Sequence, residues 1–307
     1  METLAVTMLK VIICMALGFF LNKINILSEQ SNSIISKFLL NVTLPCTMFA
    51  AVASMESGDR RDVYELLIIG VGIYVFLAIA SFIVSKLIRM GKDKEGIVQC
   101  LLMFGNVSFL GIPLAEALYG DTGVFYIAIL NVHFNIFCFT YGVYLIARSS
   151  GGKYKFNPKS FLSPAIIGVV AGLIIYLCGV TVPEIIMEPI EFIGQITSPL
   201  AMITLGSIIA TYSLKELFTQ WKMYILAAVK MIVFPILFYL ILRAVIGPGI
   251  ITNVCTIYVA MPTANVISML AVTYHGDAKT ATYGTGLMNI LCIITIPLIY
   301  MFMQFVG

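Results

Sequence analysis

The chain has 307 residues, of which 60% are hydrophobic and 11% charged, with a mean hydropathy of +1.03. Soluble domains carry about 25% charged residues, so the composition excludes one and assigns the chain to lipid. The net charge of +3 is scattered over connecting segments without a basic block, which argues against a nucleic-acid partner.

Seven cysteines (Cys14, Cys46, Cys100, Cys138, Cys178, Cys255 and Cys292) fall singly inside apolar runs. They read as small buried hydrophobes, with neither the paired spacing of a disulfide framework nor that of a metal site. The N-terminus has no basic leader and no small-residue cleavage site, so the first apolar run reads as a retained membrane helix.

A bilayer core needs about 20 residues of helix. On that criterion ten spans are expected. The first five are about 4–22, 31–54, 63–88, 96–119 and 123–147, and the second five about 160–180, 189–211, 220–243, 250–275 and 279–304. The halves, 1–148 and 160–307, are joined by a basic linker over 149–159, within RSSGGKYKFNPK (Arg148 to Lys159). The cations orient the spans. With the N-terminus outside, Lys23, Lys37, Lys86, Arg89, Lys92, Lys94, Arg148, Lys153, Lys155, Lys159, Lys215, Lys222 and Lys279 fall inside. Arg60, Arg61 and Arg243 fall outside, and Lys10 and Lys230 lie within spans. Both termini are therefore expected outside.

Five spans per half give the halves opposite topology, and traces of duplication follow. NVTLP from Asn41 matches QITSP from Gln195 at an offset of 154. Gly105–Asp121 aligns without gaps on Met261–Asp277 at an offset of 156, both stretches ending in Gly-Asp. NIFCF from Asn135 answers NILCI from Asn289. This makes two inverted five-helix repeats.

Within span four, GNVSFLGIPL puts Gly105, Asn106, Ser108 and Pro113 where an unsatisfied backbone group costs most. The alignment sets Asn106 opposite Pro262, so each repeat carries a helix breaker at the same position. Pro113 frees the carbonyl of Phe109, and Pro262 that of Tyr258. Broken helices in inverted repeats are how many secondary transporters build a mid-bilayer site, with half-helix N-termini attracting an anion.

GNVSFLGIPLAEALYGD, together with YVAMPTANVISMLAVTYHGD, resembles the auxin efflux carrier family of membrane transporters. The family's plant members carry Asn-Pro-Asn at the first crossover; Asn106 matches the second Asn, Gly105 replaces the proline, and Pro262 matches the second crossover proline. Their long central loop is absent, so the chain resembles a compact microbial member, a carrier of malate, malonate or other carboxylates. The resemblance implies a fold shared with bile-acid symporters and sodium/proton antiporters. Spans 1, 2, 6 and 7 would form a scaffold, usually dimeric, and spans 3–5 and 8–10 a core that moves elevator-fashion.

Candidate substrate contacts are Asn106, Ser108, Pro262, Thr263 and Asn265 at the breaks, with Asn131, Asn135 and Asn289 on spans five and ten. Asn131 and Asn135 share a helical face, whereas His133 points elsewhere and reads as a core residue. Asn41 and Gln195 line the substrate side or cap the kinks at Pro45 and Pro199. Glu116 is a gate, a proton site or a rim residue. Lys230 counters an anion, snorkels or pairs. No aspartate lies in the central third of a span, which disfavours a carboxylate-based proton antiporter. No metal or organic cofactor is expected; sodium or proton coupling stays open.

The expected function is secondary transport of small organic anions across the plasma or inner membrane. A non-transporting sensor or a channel on the same fold is the alternative. An intramembrane enzyme would need a nucleophile with a base, or a metal cluster. His133 and His275 lie in different spans with no cysteine or carboxylate at ligand spacing.

Overall fold

The computed structural model describes residues 2–54, 60–151, 163–211 and 220–306; most of the linker expected at 149–159, with Lys153, Lys155 and Lys159, lies outside them, as does Lys215. The described chain is helical, and its one β-bridge joins Gly105 to Thr263. Six helical runs are long and apolar enough to cross a membrane among the described residues. They are fewer than the ten expected spans partly because breaks shorten individual helices: Ile250–Ala260 has only 11 residues, and Val107–Ser149 takes in the expected fourth-to-fifth turn. That turn is at Gly120, whose φ of 60° and ψ of −150° suit a residue without Cβ.

Two units divide the chain. The first gathers Met1–Leu67, Val107–Val132 and Lys159–Thr211. In it α1 (Glu2–Lys23) and α2 (Glu29–Phe38) pack on α10 (Thr197–Thr211), and α3 (Leu44–Ala53) packs on α8 (Pro164–Cys178) and α9 (Glu184–Gly194). Helices in lipid gain little from apolar contact alone, so small residues that let backbones approach hold these seams. A Cβ on Gly18 would lie 1.8 Å from the Ile203 carbonyl oxygen, and one on Gly206 1.9 Å from that of Met15. Gly168 presses on the Pro45 carbonyl in the same way. Thr47 adds a polar stitch, its hydroxyl 2.9 Å from the Gly194 carbonyl and 2.8 Å from the Thr197 hydroxyl.

The second unit gathers Ile68–Asn106, His133–Pro158 and Tyr212–Gly307. Its helices are α5 (Glu95–Met103), α7 (Val143–Ser149), α11 (Trp221–Ala228), α12 (Phe234–Ile246), α13 (Ile250–Ala260), α14 (Val266–Thr273) and α15 (Ala278–Val306). Tyr74, Phe104, Phe134 and Phe137 form an aromatic cluster within it, and the Tyr74 and Tyr258 hydroxyls meet at 2.8 Å. Two helices, α4 (Arg60–Ile88) and α6 (Ile112–Phe137), contribute residues to both units.

Proline explains the chain's wide turns. π-turns at Leu39–Thr43, Val107–Gly111 and Val229–Val233 each end two residues before a proline: Pro45, Pro113 and Pro235. A proline ring clashes with the carbonyl four residues earlier, and a widened turn moves that carbonyl aside. A fourth, Cys138–Gly142, has no such proline; there the Thr140 hydroxyl donates to the Ile136 carbonyl.

Candidate functional site

The helices expected to break do so in the second unit. Helix α5 ends at Met103 and α13 at Ala260, and the segments beyond them pair antiparallel through Gly105 and Thr263. The Asn106 N–H donates to the Pro262 carbonyl at 2.6 Å, and the Ala264 N–H to the Phe104 carbonyl at 3.0 Å. The Tyr258 carbonyl, which Pro262 would leave free, accepts from the Met261 N–H at 3.4 Å. Two interrupted helices thus satisfy some of each other's loose backbone groups, which lowers the cost of breaking them in lipid. Gly105 eases the close approach: a Cβ there would lie 2.9 Å from that of Met261.

Side chains lock the junction. Asn289 on α15 accepts from the Asn106 amide at 3.1 Å and donates to the carbonyls of Thr263 at 3.0 Å and Thr285 at 2.8 Å. The Thr263 hydroxyl donates to the Leu101 carbonyl at 2.6 Å. Asn106, Thr263 and Asn289 are all buried. Asn265 differs: it precedes α14 with no capping bond, and both atoms of its amide are shielded without a partner among the described residues.

The remaining candidates are dispersed. Asn135 is buried in the same unit as the junction. Ser108, Pro113, Glu116, Asn131, Asn41 and Gln195 belong to the first unit. Ser108 lines a narrow cleft there with Leu40, Leu44 and Thr197. Asn131 is buried with its amide 3.8 Å from the Met48 sulfur. Asn41 is exposed and bonds back to the Lys37 carbonyl at 2.7 Å; Gln195 is exposed between α9 and α10. Glu116 accepts from the Ser198 hydroxyl. His133 packs its ring on Gly70 as a core residue.

Lys230 corrects a sequence expectation. It neither snorkels nor pairs: it is fully buried in the π-turn Val229–Val233, and its Nζ has no partner among the described residues. Its place ten residues into the run Trp221–Ile246 was the available signal, since a snorkelling lysine sits near a helix end. Two further features went unread in the sequence. A cavity of about 560 Å³ on the second unit is lined by Lys86, Lys92, Asp93, Glu95, Gln99 and Arg148 among others. Beside α15, Asp277 accepts from the Thr280 N–H at 2.9 Å and pairs with Lys94 at 3.2 Å. Partial burial pushes the Asp277 carboxyl up, but these bonds outweigh it and hold it below the usual carboxylate range.

No group of three or more His, Cys, Asp and Glu is arranged to hold a metal among the described residues. The model of the membrane transport protein family matches residues 3–160 and 153–300. An uncharacterized transporter of Methanocaldococcus jannaschii is 24% identical over 88% of this chain and 89% of its own. The uncharacterized transporter YfdV of Escherichia coli is 26% identical over 67% of this chain and 68% of its own. A provisionally named malonate transporter of Rhizobium meliloti is 25% identical over 68% and 67% respectively. The chain therefore belongs to the membrane transport protein family, that of the auxin efflux carriers its sequence resembles, and is a membrane transporter rather than an enzyme.

Proposed function

We propose that the chain is a secondary transporter of small organic anions, carboxylates of the malate or malonate class, whose site is the junction of α5, α13 and α14. One observation carries the reading: beside the bonded junction, the Asn265 amide is shielded from water and has no partner among the described residues. Buried amides without partners are costly, so this one is kept for a ligand. Asn265 stands at the N-terminus of α14, where the helix dipole favours negative charge. The malonate-transporter name of the Rhizobium meliloti relative agrees with that chemistry.

In this reading the chain forms ten spans as two inverted repeats, with both termini outside the plasma or inner membrane. It pairs as a homodimer through spans 1, 2, 6 and 7 and works by elevator-type alternating access. Asn106 and Asn289 hold the junction in shape, and Asn265 meets the carboxylate.

The test is counterflow of malonate and malate in proteoliposomes, where a carrier gives saturable exchange. Asn265→Ala, which breaks no bond among the described residues, abolishes exchange without lowering Tm. Normal exchange by Asn265→Ala at equal membrane abundance removes the site assignment. Currents far above carrier rates would favour a channel instead.

A further inference from the structure

We propose that Lys230 carries a proton together with the transported anion: its ammonium and the substrate carboxylate form a pair that is bound and released as one. The inference rests on the anion-transport reading above and supplies the charge which balances the anion.

The position of Lys230 is the first reason. The Val229–Val233 turn packs against α5, α11, α12, α13 and α15. Because the segments after α5 and α13 pair antiparallel, those helices approach the junction from opposite sides. A five-residue turn rises only about 7 Å, so one that touches both helices lies at the level where they meet. Lys230 is fully buried at that level.

The second reason is what surrounds it. The elements packed on the turn contain one carboxylate, Glu95, at the first residue of α5, and Lys86 pairs with it at 2.7 Å. The cations have other neighbours: Lys222 donates to the Arg89 carbonyl, Arg243 to that of Val306, and Lys279 lies over the Tyr283 ring. The other ionisable groups on these elements are the thiols Cys100, Cys255 and Cys292 and the phenols Tyr224, Tyr239, Tyr258, Tyr283 and Tyr300, which are ordinarily uncharged at neutral pH. Among the described residues, Lys230 therefore has no anion of its own.

An isolated ammonium is strongly unfavourable in an apolar interior, and so is an isolated carboxylate; a hydrogen-bonded pair offsets both costs. Binding then follows one balanced step. The Lys230 amine, a proton from the water on the entry side and the substrate carboxylate combine into an ammonium–carboxylate pair. Release on the other side returns both proton and anion, so the cycle moves no net charge for each carboxylate balanced.

The test uses the purified full chain in lipid nanodiscs, with malonate as probe. Without any anion, Lys230→Met raises Tm by about 3 °C or more, because an apolar side chain of similar length replaces an unpaired buried amine. A fall in Tm instead means that Lys230 has a partner within the protein, and overturns the proposal. With malonate, the wild type takes up close to one proton per anion bound, read in weakly buffered solution, and Lys230→Met takes up none. Binding of malonate to the wild type with no proton uptake also overturns it. If malonate fails to bind the wild type, malonate is withdrawn as substrate, and the anion-free comparison decides on Lys230.

Discussion

The α1–α10 seam of the first unit and the junction of the second are two answers to one problem. In lipid, apolar contact gives helices little reason to associate. At the seam both helices stay intact, and Gly18 and Gly206 bring each backbone against the other's carbonyls. At the junction both helices are broken, and their exposed backbone groups bond each other around Asn289. The first answer tolerates no added atoms; the second tolerates no lost polar groups. A polar junction also leaves hydrogen-bonding capacity for a ligand, which a glycine seam cannot. That difference is why the functional reading falls on the broken helices.

The most severe way to break this comparison is to add volume at the seam. Gly18→Leu or Gly206→Leu drives side-chain atoms into a carbonyl less than 2 Å from the ideal Cβ. No rotamer relieves a clash at Cβ, so each costs about 3 kcal/mol or more. Fluorescence-detected size-exclusion chromatography should show little or no monodisperse protein.

Removing a polar group at the junction comes next. Asn289→Ala leaves the Asn106 amide and the Thr263 carbonyl unpaired, a loss of about 2–4 kcal/mol from two shielded groups. It should lower Tm and abolish exchange together, unlike Asn265→Ala. Gly105→Ala sharpens the contrast: its Cβ meets Met261 at 2.9 Å, where a small shift suffices, so about 1–2 kcal/mol is expected. A Gly105→Ala loss as large as that at Gly18 would show that the junction is also a packing seam.

The smallest effect concerns the rim of the second unit. Asp277 is held below the usual carboxylate range in the folded chain, so its contribution is present above the unfolded value near 4. It disappears as pH falls through the lower folded value. Asp277→Asn should therefore flatten the acid limb of a Tm–pH curve and lower Tm slightly at pH 7. Parallel curves for variant and wild type would remove Asp277 from that account.

The particular residues show how far the sequence was legible. The junction could be read because it is made of exceptions: Gly105, Asn106, Pro262 and Asn289 are polar or helix-breaking residues in apolar text. The bridge pairs Gly105 with Thr263, two residues beyond the partner that the repeat alignment gives it. A repeat alignment pairs positions by sequence alone, whereas facing positions depend on how the segments cross. Gly18 and Gly206 went unread because glycine is frequent in membrane helices, and only the facing backbone distinguishes a seam from a bystander.

By itself, then, the amino-acid order determined that the chain belongs in lipid, which family it joins, and where two of its helices must break. Burial cost, helix length and proline geometry act locally, so they are written into short stretches. Tertiary structure alone decided that Asn106 bonds Asn289, and that the Asn265 amide and the buried Lys230 ammonium find no partner among the described residues. Those outcomes depend on which distant side chains arrive at the same point, and partner choice is a property of the packed chain rather than of any segment.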